Sequence, residues 1–94
     1  MSYFFRSWSK NESILYPNPT TGNVTINIDL PFDFVVTINL YDSIGNIITI
    51  IKNDFAYKGN FEVNYNCNHL SQGTYYLKIQ QKDFTKTLKL IKEK

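Results

Sequence analysis

Apolar residues recur at every second position along most of this chain, and that period decides what it can fold into. Val24, Ile26 and Ile28 alternate with Thr25, Asn27 and Asp29. Val36, Ile38 and Leu40 alternate with Thr37, Asn39 and Tyr41. Phe61, Val63 and Tyr65 alternate with Glu62, Asn64 and Asn66, and Tyr75, Leu77 and Ile79 with Tyr76, Lys78 and Gln80. Phe84, Leu88 and Leu90 share a face, with Thr85 and Thr87 opposite. Such alternation gives a strand one buried and one wetted face. No stretch long enough for a helix carries a helical stripe. Turn chemistry falls between the strands: Asp42-Ser43-Ile44-Gly45-Asn46, Lys58-Gly59-Asn60 and Gln81-Lys82-Asp83. With residues 14–16 as a short first strand, about seven strands occupy roughly 80 residues. That density predicts an all-β fold, a small immunoglobulin-like β-sandwich of antiparallel strands.

Residues 47–51, Ile-Ile-Thr-Ile-Ile, break the rule by being apolar on both faces. Their second face is expected to be covered, by the aromatic N-terminal tail (Tyr3, Phe4, Trp8), by a partner, or by a loop over residues 54–60. Asn46 and Lys52 flank the run as gatekeepers against strand-to-strand aggregation.

A chain of 94 residues, 43% hydrophobic and 16% aromatic, holds one domain and one modest core. Residues 1–12 have mixed polarity and no period, and are expected to be a tail or linker. The net charge of +2 conceals an asymmetry. Residues 1–81 carry five Lys/Arg against six Asp/Glu, whereas residues 82–94 carry five Lys against Asp83 and Glu93. The positive charge therefore sits at the C-terminal end, where it steers an acidic partner or simply solvates an edge. A balance this small implies no affinity for nucleic acid. Cys67 is the single cysteine, so no internal disulfide forms. No apolar run approaches the ~18 residues of a membrane helix. Arg6 and Ser7 interrupt any signal-peptide core in residues 1–10.

Catalytic chemistry finds little support. His69 is the only histidine. In Cys67-Asn68-His69 the thiol and imidazole have no organised third partner and match no protease pattern. A metal would need further ligands at suitable spacing, and the scattered Asp29, Asp33, Asp42 and Asp54 form no calcium loop. No phosphate-binding glycine cluster and no cofactor motif is present. Tyr41, Tyr57, Tyr76 and Trp8 allow a second reading, an exposed aromatic platform of a fibronectin-like carbohydrate-binding or adhesion module. Ordinary strand composition explains the same tyrosines.

Three motifs remain. Tyr16-Pro17-Asn18-Pro19-Thr20-Thr21-Gly22 is a rigid turn in which Pro19 pushes Asn18 toward extended geometry and Gly22 can take positive φ. Leu70-x-x-Gly73-x-Tyr75 opens a strand. Gly73 permits a tight corner and the Tyr75 hydroxyl can bond backbone upstream, as in a tyrosine corner. The chain closes on a strand bearing Lys86, Lys89, Lys92 and Lys94, which also reads as an edge strand protected by lysines.

In this order and spacing, the three motifs resemble the type A C-terminal sorting domain of cargo exported by the type IX (Por) secretion system of Bacteroidetes-type bacteria. The resemblance covers residues 14–94. It implies a non-catalytic address domain over residues 13–94, with residues 1–12 as the linker from an upstream passenger that carries its own export signal. The implied partners are the outer-membrane type IX machinery and a sortase-like cysteine peptidase that cuts in residues 7–12 or upstream. The implied route is periplasm in transit, then outer-membrane surface or medium. The recognition residues it implies are Pro17, Asn18, Pro19, Gly22, Leu70, Gly73, Tyr75, Lys86, Lys89, Lys92 and Lys94. No catalytic, cofactor or metal residue is implied.

Overall fold

The computed structural model describes residues 13–94. Seven strands appear: β1 (Ser13–Tyr16), β2 (Asn23–Leu30), β3 (Phe34–Tyr41), β4 (Ile47–Ala56), β5 (Gly59–Asn66), β6 (Gly73–Gln81) and β7 (Phe84–Lys92). All sheet pairings are antiparallel. They form a three-stranded sheet ordered β1-β2-β5 and a four-stranded sheet ordered β4-β3-β6-β7. The two sheets face each other as an immunoglobulin-like sandwich.

The alternating residues build the core as expected. Ile26, Ile28, Val36, Ile38, Leu40, Leu77, Ile79 and Leu90 lose all exposure, with Val24 and Leu30 nearly so. Each such side chain withdrawn from water contributes about 1.5–3 kcal/mol.

Between β3 and β4, Asp42 Oδ1 accepts from the N–H groups of Ile44 and Asn46 at 3.1 and 2.9 Å. Those bonds, that from Asn46 foremost, hold its carboxyl below the ordinary value. Gly45, at φ 97°, supplies the backbone conformation that closes the turn.

The opposite end is stapled by a residue that reads as part of a turn. Gln81 ends β6 and is 1% exposed. Its Nε2 donates to the carbonyls of Phe32 and Phe34 at 2.6 and 3.1 Å, and its Oε1 accepts from Phe32 N at 3.0 Å. It thereby fixes the crossover from β2 to β3. Asp33 in that crossover accepts from Lys58 N at 2.7 Å, tying in the β4–β5 crossover.

Residues 47–51 behave differently from one of the expectations. Residues 54–56 continue β4 and only Tyr57 and Lys58 connect it to β5, so no loop folds over the run. Two register irregularities against β3 leave Ile51 and Ile48 without a partner, which breaks the strict alternation. Ile51 turns to the core, while Ile47 and Ile50 stay open on the outer face at 53% and 57% exposure. The aromatic tail lies outside the described residues.

Candidate recognition surface

All three motifs meet at one end of the sandwich. The 17–22 turn leaves β1 and runs along the edge of β7. The peptide bonds preceding Pro17 and Pro19 are both cis. Between them, the Asn18 side chain brackets the terminal strand: Nδ2 donates to Lys89 O at 2.8 Å and Oδ1 accepts from Ile91 N at 2.9 Å. Thr20, 2% exposed, continues the contact as a parallel bridge to Lys92. Its N–H donates to Ile91 O at 2.9 Å and its carbonyl accepts from Glu93 N at 2.7 Å. The carboxamide thus does for the edge of β7 what a neighbouring strand would do.

Gly22 departs from expectation, since its φ is not positive. Its smallness serves a close approach instead: a Cβ there would stand 3.2 Å from Asn68 Oδ1. Its carbonyl accepts from Cys67 N at 3.0 Å, which joins the turn to the segment before β6.

That segment carries the second motif. Leu70 is buried, and its N–H donates to Cys67 O at 2.9 Å. Gly73 has φ 156°, pairs with Lys92, and starts β6. Tyr75 packs against the core and its hydroxyl donates to Ser71 O at 2.6 Å, the geometry of a tyrosine corner. A neutral bond of this kind stabilises by about 1 kcal/mol. Tyr75→Phe is therefore expected to lower the melting temperature by roughly 4–8 °C. An unchanged thermal denaturation curve would show that the hydroxyl adds nothing.

The four lysines do not form one row. Lys89 and Lys94 are exposed, and Lys86 is half-buried and pairs with Ile79 away from the turn. Lys92 shares the inward face of Leu90 and is 6% exposed, its Nζ donating to Glu93 O at 3.0 Å. Lys92 is thus part of the packing, and of the four lysines only Lys89 and Lys94 present charge outward at this end, beside the exposed Glu93. The edge of β7 is divided as well. Asn18 and Thr20 occupy the outward backbone groups from Lys89 O to Glu93 N. By the strand period the backbones of Thr85 and Thr87 point the same way. Among the described residues no strand of the sheet pairs along that edge of β7.

Cys67 is fully buried. Burial raises its thiol above the ordinary value, with the nearby Lys92 ammonium opposing the rise. A buried, protonated thiol is a poor nucleophile. In native protein Cys67 should resist alkylation at pH 8 and react once denaturant unfolds the chain. Rapid labelling of the native state would contradict the packing. His69 Nε2 lies 3.2 Å from the Tyr65 hydroxyl, a contact between two partly solvated groups. No group of three or more potential metal ligands occurs among the described residues.

The structure is a small all-β sandwich whose three sequence motifs converge on the edge of its last strand. The chain belongs to the secretion system C-terminal sorting domain family, whose profile matches residues 14–93. It is a type IX sorting domain, and the family directs export to the cell surface or the extracellular space. The family is a sorting signal rather than a catalytic one, and it implies contact with the type IX machinery. The match lends no support to sugar binding. No curated protein sequence matches the chain.

Proposed function

We propose that residues 13–94 form a non-catalytic export address that carries a passenger attached upstream across the outer membrane. The outer-membrane machinery recognises the end of the sandwich where the 17–22 turn grips the terminal strand. A sortase-like cysteine peptidase then cuts in the linker, within residues 7–12 or upstream, and the passenger stays on the surface or enters the medium.

The observation that carries this reading is the Asn18 bracket. It couples two distant motifs into one shape and holds the backbone of Lys89 beside them. A defined shape with a charge at a defined backbone position is what a receptor needs for selectivity without a ligand pocket. Main-chain pairing by the receptor has room along residues 85–87, ahead of the bracket.

The test is export of a periplasm-targeted fluorescent reporter fused to the chain, in hosts with and without type IX machinery. Fluorescence at the surface or in the medium is expected in the competent host alone, and deletion of residues 89–94 should abolish it. Periplasmic retention of a folded fusion in both hosts would overturn the proposal.

A further inference from the structure

The sandwich has two unlike faces. On the four-stranded sheet, cross-strand register aligns Ile47, Tyr41, Tyr76 and Lys89 in one outward row. The next row aligns Ile50, Asn39, Lys78 and Thr87. An apolar half along β4 thus grades through two tyrosines into a basic half along β6 and β7. No Asp or Glu occupies an outward position on these four strands. Asp54 pairs with the inward-facing Val36, and lies at the sheet edge 3.5 Å from the Lys52 ammonium. The outer face of β2 and β5 is instead polar, with Asn27 bonded to Asn60, Thr25 to Asn64, and Asp29 and Glu62 as its charges. Apolar exposure on that side is confined to β1, at Ile14 and Tyr16.

We infer that the outer face of the four-stranded sheet is a docking surface for a folded protein of the export apparatus. That protein presents an apolar patch rimmed on one side by carboxylates. The inference rests on the export reading above and adds to it a second surface, separate from the gripped terminal strand.

Charge selects this occupant. Contiguous exposed apolar side chains with a polar rim mark protein contacts, and a face with lysines but no acid is complementary to an acidic rim. A second copy of the chain fits poorly. Its matching face offers no carboxylate to meet the lysines, and the two irregularities in β4 discourage edge pairing. An anionic lipid surface is recognised by clusters of about 4–8 basic residues, and this face offers only Lys78 and Lys89.

The experiment uses the reporter fusion with an intact terminal strand. Ile47→Ser/Ile50→Ser and Lys78→Glu are each expected to reduce export about tenfold or more, with folding verified by circular dichroism. Glu62→Lys, on the opposite face, should leave export unchanged. A photo-crosslinking amino acid at position 50 should capture a protein of the type IX apparatus in the competent host, and at position 62 should not. Binding of the purified chain to vesicles of outer-membrane lipid, or its dimerisation through this face, would replace the proposed partner and overturn the inference. Export of both face variants at the unsubstituted level, or equal loss in Glu62→Lys, would overturn it too. Failure of the unsubstituted chain to be exported in either host would instead sink the export reading, and this inference with it.

Discussion

Replacing Gln81 with alanine should lower the melting temperature by roughly 12–24 °C, a larger loss than any surface substitution in this domain. The side chain makes three hydrogen bonds to the backbone of Phe32 and Phe34, and it is 1% exposed. Truncation removes all three partners at once. Leaving a buried polar group unpaired costs about 1–3 kcal/mol. Partial replacement by water brings the sum to about 3 kcal/mol, against a total stability of about 5–15 kcal/mol for a domain. The salt bridge between Lys52 and Asp54, with side chains 37% and 69% exposed, is worth less than about 1 kcal/mol by comparison. Gln81→Glu separates donor from acceptor. It keeps an acceptor for Phe32 N, but sets carboxylate oxygen against two carbonyls. At pH 7 it should be no more stable than Gln81→Ala. Burial among carbonyls raises the pKa of the introduced carboxyl above its unfolded value. The proton is then held more tightly in the folded state, so stability returns as pH falls and is lost as pH rises through the folded pKa. A Gln81→Glu protein as stable as the parent at pH 7, measured by denaturant titration, would show that the two donated bonds carry no weight.

Gln81 also shows where sequence reading stops. The core was legible because each buried side chain on β2, β3, β6 and the second half of β7 obeys a period of two, and the seven strands follow from it. The tyrosine corner was legible because its partner, Ser71, is four residues away. Gln81 next to Lys82 and Asp83 has the composition of a turn, and its partners lie 47 and 49 positions away. Lys92 was hidden for the same reason. Its residue type reads as exposed, whereas its strand position places it inward beside Leu90. Residues 47–51 defeated the period because two irregularities rotate the strand. Their open face follows from the order of strands in the sheet, which no local pattern encodes. The recognition motifs could be found in the sequence one by one, but their convergence could not. The bonds that join them span 71 and 73 residues.

Asn18→Asp should cost little stability and most of the export. Its carboxylate still accepts from Ile91 N but has no proton for Lys89 O, so one bond of the bracket is replaced by repulsion between two oxygens. The site is exposed, so the loss is about 1–1.5 kcal/mol, in the range of a single hydrogen bond. That amounts to roughly tenfold in a local opening equilibrium. Amide exchange at Ile91 and Glu93 should therefore quicken about tenfold, while amides of the central strands β3 and β6 change far less. Local opening of this kind is separable from global unfolding. If the receptor reads the terminal strand as held by the turn, the variant presents that shape for less of the time, and the fusion accumulates in the periplasm though still folded. Deleting residues 89–94 tests whether the strand is needed. Asn18→Asp leaves every terminal residue in place and tests whether its constraint is needed. Faster exchange with undiminished export would assign recognition to sequence alone. Unchanged exchange would mean that the bracket does not hold the strand in solution. Loss of both, with the core still protected, is the outcome expected of a turn whose purpose is to fix the last strand.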